Sequence, residues 1–397
     1  MTQQAVQSAG RQRLSAARIF DGSGWHEDAV LTIEGGRVVS IDNADRSAQQ
    51  ADVDEVPPGS MIVPGFVDLQ VNGGGGVLFN NAPHVEGIEA ICLAHRTFGT
   101  TALLPTLITD MPQVTERALE AGIAAARCRT RGFAGLHLEG PHLSVARKGT
   151  HSPALIRPMT AQDLSCLVAA ARDLPRLVVT LAPENATPEQ VHDLAQAGVI
   201  VSLGHSDAGL ETIRDYVAAG ASMVTHLFNA MSPLRHRDPG LVGAALGLGE
   251  LSCGLIADGH HVDPLAIRIA LDAKRGPGSV FLVTDAMSSI GSSETSFQLN
   301  GREVFRREGR LTLADGTLAG ADIDMMSCVR FMRDVIGLDL GSALKLATAN
   351  PVSACALEGH GSLQPGARAD FLVISPDLDI RASVIGGQWQ DLEGCDA

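Results

Sequence analysis

Acidic residues and histidines follow several short apolar runs, at the positions where buried strands would end. The clearest cases are Glu139, His205 and His226, in the strings HLEG, LGHS and THLF. Two imidazole nitrogens and one carboxylate oxygen form a ligand shell for a borderline-soft divalent cation such as Zn²⁺, with a fourth position left for water. Taken singly, each histidine is more simply explained as a hydrogen-bonded core or loop residue. Taken together, the three residues predict a metal site.

A fourth run ends in a free carboxylate, Asp285, in the string LVTDA. A carboxylate that faces a metal can take a proton from the attacking water and then deliver it to a leaving amine. The alternative is that Asp285 caps the next helix, because Asp after a strand often accepts hydrogen bonds from a helix N-terminus. We predict the catalytic role.

The elements that would position these residues alternate along the middle of the chain. Helix-like stretches rich in Ala and Leu separate most of the apolar runs, for example 112–127 and 161–174. Eight β/α units in a chain of this length predict an α/β fold of the TIM-like (β/α)₈ barrel type, with the site at the carboxyl ends of the strands. A doubly wound open sheet is the alternative, although the glycines at 73–76 lack the G-x-G-x-x-G spacing. The eight runs are 62–71, 101–107, 133–138, 177–181, 199–203, 223–227, 253–257 and 280–283.

Both chain ends carry strand patterns instead. Residues 30–33 and 37–41 flank a Glu-Gly-Gly turn and predict a β-hairpin, and 371–374 predicts a further strand. We therefore expect a small β-sandwich domain built from residues 1–61 and 362–397, around a barrel of residues 62–361. The segment 294–318 breaks the β/α period and predicts a hairpin inserted after the eighth strand.

Composition limits the classes of partner. The 397 residues carry a net charge of −15 and only 4% aromatic residues, which argues against nucleic-acid binding by a basic face or a stacking platform. An anionic small molecule stays compatible, because one Arg and one His in a pocket suffice locally. With 45% hydrophobic and 19% charged residues, the chain can bury a large core.

The seven cysteines form no C-x-x-C pair and are odd in number, so we expect neither a disulfide framework nor a zinc-thiolate site. No run of about 18 apolar residues and no signal-peptide core is present, which predicts no membrane span and a cytoplasmic protein.

Several longer strings carry a family resemblance. The chain resembles the N-acetylglucosamine-6-phosphate deacetylases of the amidohydrolase superfamily, over most of its length. That resemblance implies a barrel with a small β-sandwich from both ends, and hydrolysis of the N-acetyl amide of N-acetyl-D-glucosamine 6-phosphate to D-glucosamine 6-phosphate and acetate. The strings are PGFVDLQVNG (64–73), HLEGPHLSVARKGTHSP (137–153), LGHSDA (203–208), THLFNAMSPLRHRDPG (225–240), LIADGHHVDP (255–264), LVTDAMSSIG (282–291), GTLAG (316–320) and ATANPV (347–352).

The resemblance also implies roles for individual residues. Glu139, His205 and His226 match the family's metal ligands, and Asp285 matches its catalytic carboxylate. His151 matches a histidine that contacts the substrate near the scissile amide, where it could stabilise the oxyanion. Its alternative is a solvated loop histidine.

Further matches concern the sugar phosphate. Asn229 and the Ala230 backbone match groups that hold it, and Arg237 with His261 matches the phosphate-binding cations. Residues 235–238 could otherwise be an ordinary charged surface loop. In the family this pocket lies near a dimer interface, which implies a homodimer here.

Two departures from the family pattern affect the site. Many amidohydrolases place H-x-H at the end of the first strand, whereas this chain has Gln70 and Asn72 there. Neutral amides are poor ligands for a second cation, so we expect one divalent metal per subunit, with Zn²⁺ favoured over Fe²⁺, Mn²⁺ or Co²⁺. After LAG, Ala321-Asp322 replaces a hydroxyl-bearing stretch, which affects that loop and the fit of the substrate. We expect Asp324 to be a surface residue.

Competing functions remain open at this point. The N-acetylgalactosamine 6-phosphate epimer, or a different N-acyl substrate of another amidohydrolase, would use the same metal and Asp285. A metal-using isomerase or lyase of sugar phosphates would convert substrate without releasing acetate. A non-catalytic barrel would show no metal-dependent turnover.

Overall fold

The computed structural model describes residues 10–43 and 53–390, and the predictions for residues 1–9, 44–52 and 391–397 lie outside them. Its centre is a sheet of eight parallel strands that pair in the order of the sequence. The strands are β1 Phe66–Val71, β2 Thr100–Ile108, β3 Leu136–Glu139, β4 Leu177–Leu181, β5 Ile200–Leu203, β6 Met223–Val224, β7 Ser252–Leu255 and β8 Val280–Leu282.

The strands form because both of their faces are covered. Every residue of β1, β2, β3 and β4 is buried, as near-continuous apolar runs in a parallel sheet require. The first strand meets the segment just after the last strand through a bridge between Val71 and Ala286. The Asp285 N–H also donates to the Gln70 carbonyl at 2.9 Å. The sequential order and this closure confirm the predicted barrel, and the alternative of an open doubly wound sheet is wrong.

One helix follows each strand, and two more complete the described chain. Polar residues fix where several of them begin: Thr160 forms a capping box with Asp163, and Asp324 accepts from the Ser327 N–H at the start of α8. The capping role therefore belongs to Asp324, which is partly exposed, rather than to Asp285. The helices are α1 Val85–Arg96, α2 Pro112–Cys128, α3 Ala161–Ala170, α4 Pro188–Gln196, α5 Leu210–Ala218, α6 Gly240–Gly247, α7 Pro264–Ala273, α8 Met325–Asp334, α9 Leu340–Ala347 and α10 Ala349–Cys355.

Both chain ends contribute to a separate eight-stranded sheet, as predicted. The strand Met61–Pro64 joins the ends, because it pairs with Gln12–Phe20 on one side and with Phe371–Ile374 on the other. The predicted hairpin is present between Trp25–Glu34 and Arg37–Asn43. The domain boundaries stay a prediction. The other strands are Asp54–Glu55, Ile380–Ile385 and Gln388–Gln390.

Gly65 divides the first apolar run into two strands. The sequence predicts one strand over 62–71, but residues 61–64 belong to the sheet from the chain ends and 66–71 to the barrel. A Cβ at Gly65 would lie 2.1 Å from the Thr101 Oγ1 and 2.7 Å from the Thr101 Cβ. The chain can therefore pass between the two sheets only where no side chain intervenes.

The inserted segment after β8 is larger than the predicted hairpin. Its first two strands pair antiparallel as expected, and two more extend them into a four-stranded sheet. Leu299, Val304 and Leu311 of this sheet pack against Leu78 and Met287, which places it over the barrel mouth. Its strands are Ser296–Leu299, Arg302–Arg307, Arg310–Thr312 and Leu318–Ala321, and short pieces at Gly73–Gly74, Val77–Leu78 and the 3₁₀ turn Val145–Arg147 also border the mouth.

Two smaller expectations concern membranes and thiols. No helix in the described ranges is both long and apolar enough to cross a membrane. The six cysteines that fall within the described part of the chain are all free thiols, so no disulfide joins them.

We predict that Gly65→Ala weakens the fold. The new methyl overlaps the Thr101 side chain at its Cβ, which no rotamer change can remove, so β1 and β2 must shift. We expect the free energy of unfolding to fall by about 1–3 kcal/mol, measured by urea titration. Gly247→Ala is the matched control, because that glycine ends α6 with open space around its Cβ position. Equal stability of both variants would contradict the crossing at Gly65.

Candidate functional site

The residues predicted for chemistry stand at the carboxyl ends of four barrel strands. Glu139 is the last residue of β3, and His205, His226 and Asp285 follow β5, β6 and β8 within three residues. The last three have φ values of 49°, 30° and 51°. This left-handed conformation is uncommon outside glycine, and it turns the chain sharply at each strand end.

Three ligand atoms converge above the barrel axis. The Glu139 Oε1 lies 3.0 Å from the Nε2 of His205 and 3.0 Å from the Nε2 of His226, and the two nitrogens are 3.0 Å apart. All three side chains are buried. Two imidazole nitrogens and a carboxylate oxygen at one point match the donor set of a borderline-soft divalent cation. The residues therefore fit a metal.

Neighbouring groups orient His205 and set the charge of Glu139. The His205 Nδ1–H donates to the Arg147 carbonyl at 2.8 Å, which orients the ring so that its Nε2 faces Glu139. Burial alone would raise the pKa of Glu139, but hydrogen bonds from His205 and His226 hold that pKa well below its ordinary value. Glu139 is therefore an anion within the cluster.

His151 lies at the edge of the same cluster. Ligand atoms of Glu139, His151 and His205 lie within 4.8 Å of one another, so His151 is a geometric alternative to His226 as a ligand. The tighter contacts of His226 favour the set with His226. The His151 Nδ1 lies 2.8 Å from the Thr109 Oγ1, and burial lowers the pKa of His151 to about 3. His151 is thus neutral and able to donate one N–H.

Gln70 and Asn72 connect the two carboxylates of the site. The Asn72 Nδ2 donates to the Asp285 Oδ1 at 2.6 Å, and the Gln70 Nε2 donates to the same oxygen at 3.1 Å. The Gln70 Nε2 also lies 3.4 Å from the Glu139 Oε2. Burial and the neighbouring charge of Glu139 raise the pKa of Asp285 to about 6. The two carboxyl groups therefore differ in proton affinity.

A cavity of about 230 Å³ opens over these groups. Asn229, Ala230 and His261 line it, as the sequence predicts for substrate contacts. The His261 Nδ1 lies 2.6 Å from the Asp258 Oδ2, and both side chains are nearly buried. The Asn229 Nδ2 donates to the His226 and Leu227 carbonyls at 3.3 Å, which holds its side chain against its own turn.

Arg237 does not line this cavity. It lies in an exposed loop, 233–238, between β6 and α6. No lysine or arginine is among the described lining residues, which leaves His151, His205, His226 and His261 as the basic groups of the cavity.

The inserted sheet supplies wall residues that the sequence analysis missed. Leu299, Thr317, Leu318 and Gly320 all line the cavity. Arg302 donates to the carbonyl of Thr150, next to His151. The sequence of the insert predicted a hairpin. Its contact with the barrel mouth depends on long-range packing, which no local pattern encodes.

Asp322 departs from the family pattern after the LAG string, and its side chain holds this insert in place. Its Oδ2 accepts from the Arg306 Nε at 2.7 Å and its Oδ1 from the Ser289 Oγ at 2.9 Å. The Arg306 Nη1 also donates to the Ser292 carbonyl. Asp322 therefore ties the inserted sheet to the loop that follows Asp285.

Comparisons with known proteins agree with this geometry. The sequence matches the amidohydrolase family over residues 61–390. An N-acetylgalactosamine-6-phosphate deacetylase of Shewanella sp. (strain ANA-3) is 43% identical over 327 residues, which are 82% of this chain and 82% of the relative. The human N-acetylglucosamine-6-phosphate deacetylase is 37% identical over 376 residues, which are 91% of each chain.

A solved structure covers nearly the whole chain. It is an aspartate-to-alanine mutant of N-acetyl-D-glucosamine-6-phosphate deacetylase from Mycobacterium smegmatis, in complex with N-acetyl-D-glucosamine-6-phosphate. It superposes with a TM-score of 0.88 at 31% identity and covers 96% of this chain and 99% of that one. The family implies a divalent metal, in agreement with the converging donors. The chain belongs to the amidohydrolase family, among its amino-sugar-phosphate deacetylases.

Proposed function

We propose that this protein hydrolyses the N-acetyl amide of N-acetyl-D-glucosamine 6-phosphate, giving D-glucosamine 6-phosphate and acetate. The observation that carries the proposal is the meeting of Glu139, His205 and His226 at 3.0 Å, with Asp285 across the same cavity. Relatives that act on such substrates support it.

We assign the metal site to Glu139, His205 and His226, with one cation per subunit and Zn²⁺ as the favoured ion. Fe²⁺, Mn²⁺ and Co²⁺ accept the same donors. A bound divalent cation would supply polarisation of the amide carbonyl and a lowered pKa for the attacking water. Gln70 and Asn72 are neutral amides that donate to carboxylates, which supports a single cation.

Asp285 acts as general base and then as general acid. Its Oδ1 is held by two amide donors, so the carboxyl group keeps one orientation. The raised pKa of about 6 suits a group that must accept a proton from water and then release it to the leaving amine. His151 is neutral and donates to the oxygen that becomes negative in the tetrahedral intermediate.

The far side of the cavity holds the sugar phosphate. Asp258 lies 2.6 Å from the His261 Nδ1, which orients that imidazole towards the substrate. Asn229 and the Ala230 N–H contact the sugar or its phosphate. Arg237 is exposed and does not line the cavity of its own subunit. We therefore propose a homodimer in which Arg237 of the partner subunit completes the phosphate site.

The galacto epimer is the second candidate substrate. The relative from Shewanella, at 43% identity, is named an N-acetylgalactosamine-6-phosphate deacetylase. Parallel measurement of acetate release from the two 6-phosphates distinguishes the candidates by kcat/KM. Conversion of either compound without acetate would instead indicate an isomerase or a lyase.

We predict that Asp285→Asn lowers kcat for acetate release about 10²–10⁴-fold, because the amide cannot take the proton of the attacking water. Metal content, measured by elemental analysis, should stay at the wild-type value. Asp324→Asn is the control, since Asp324 caps α8 outside the cavity lining. Near-normal turnover of the Asp285 variant would remove this residue from the mechanism.

His205→Ala and His226→Ala should each lower the amount of bound metal, because each removes one of three converging donors. The measurement is the metal-to-protein ratio after dialysis against a weak chelator. His192→Ala, on the exposed face of α4, serves as control. An unchanged ratio in both site variants would show that the ligand set is wrong.

Arg237→Ala should raise KM for the phosphorylated substrate about 10–100-fold, the effect of one lost charge-assisted hydrogen bond, and change little for the unphosphorylated sugar. Arg235→Ala is the neighbouring control. Mixed dimers of Arg237→Ala and Asp285→Asn chains test the subunit arrangement. If Arg237 acts across the interface, each mixed dimer regains one intact site. Mixed dimers no more active than their parents would place Arg237 elsewhere.

A further inference from the structure

The seam between β8 and β1 differs from the other junctions of the barrel. Backbone ladders join each neighbouring pair from β1 to β8, whereas the described residues of β8 and β1 form no ladder with each other. The two ends meet beyond β8, through the Val71–Ala286 bridge, the bond from the Asp285 N–H to the Gln70 carbonyl, and bonds from the Asn72 and Gly73 N–H groups to the Ala286 carbonyl. The seam is therefore joined beyond the end of β8 rather than along the strand, and Asp285 lies in it.

A side chain fills the place of the missing ladder. Asp68, in the middle of β1, is fully buried. Its Oδ2 accepts from the Thr284 Oγ1 at 2.5 Å, and its Oδ1 lies 3.3 Å from the Thr284 N. The same Oδ1 accepts from the Gln70 N–H at 3.2 Å. One carboxyl group thus contacts both strands of the seam.

Asp68 contacts two of the residues that place Asp285. Thr284 precedes Asp285 directly, and the backbone of Asp285 is in the left-handed region at φ 51°. Gln70 donates from its side chain to the Asp285 Oδ1 at 3.1 Å. Movement of either residue would therefore move the reactive carboxyl relative to the cavity.

We propose that Asp68 is a positioning residue, which joins β8 to β1 through Thr284 and Gln70 and so fixes Asp285 for proton transfer. Asp68 is not among the residues that line the cavity, and its side chain accepts hydrogen bonds from Thr284 and Gln70. The inference rests on the proposed function, in which Asp285 transfers the proton. A misplacement of a reacting group by about 1 Å can cost about 10²-fold in rate, so small shifts at the seam matter.

Four variants test this role. Asp68→Asn keeps the shape but presents an amide to the Thr284 donors, and Thr284→Val removes the hydroxyl donor while keeping the volume. Both should lower kcat about 10–100-fold with KM and metal content near the wild-type values. Thr284→Ser keeps the hydroxyl and should retain activity. Thr101→Val is the matched control, because this equally buried threonine donates to the Phe66 carbonyl at the opposite end of β1.

Asp370→Asn is the control for stability, because it alters another buried aspartate, which lies directly before the strand Phe371–Ile374. If Asp68 had only a structural role, its variants would lose activity only in proportion to the loss of folded protein or bound metal, as we expect for Asp370→Asn. Activity of Asp68→Asn and Thr284→Val no lower than that of the two controls would overturn the inference. Wild-type protein that releases no acetate from either 6-phosphate would refute the proposed function instead.

Discussion

The site depends on how a buried carboxylate is paired. Glu139 ends a fully buried strand, and an unpaired carboxylate in such surroundings would cost several kcal/mol. Two imidazoles on neighbouring strand ends supply the pairing, and the parallel register of β3, β5 and β6 brings all three to the same edge. The same convergence that makes the anion tolerable creates a donor set for a divalent cation. The barrel and its strand register therefore determine both the pairing of Glu139 and the donor set that a metal would meet.

A second carboxylate in the same cavity must then differ from the first. Hydrogen bonds from His205 and His226 keep the pKa of Glu139 low, whereas burial and the charge of Glu139 raise the pKa of Asp285 to about 6. Environments that separate two carboxyl groups in this way assign them different roles. Glu139 stays ionised and suits a ligand, and Asp285 can gain and lose a proton near neutral pH.

Short-range patterns in the sequence predicted the barrel strands and the site residues that follow them. Glu139, His205, His226 and Asp285 were identifiable because each follows an apolar run, and strand ends gather at one face of a barrel. The split at Gly65 was missed, since 61–71 is a mainly apolar run and the break depends on the distant Thr101. The inserted wall at Leu299 and Leu318 was missed for the same reason. Arg237 was assigned from resemblance alone, and a single subunit leaves it exposed.

The amides at the first strand link the proposed metal count to the proposed proton transfer. Had imidazoles stood at Gln70 and Asn72, a second cation there would lie beside Asp285 and lower its pKa strongly. Neutral amides orient the carboxyl group by hydrogen bonds and perturb its charge far less. In the proposed mechanism, Asp285 takes a proton from water and returns it to an amine, and a pKa of about 6 suits both steps. The amides at positions 70 and 72 are therefore compatible with the proposed single cation and also hold the proposed proton-transfer group.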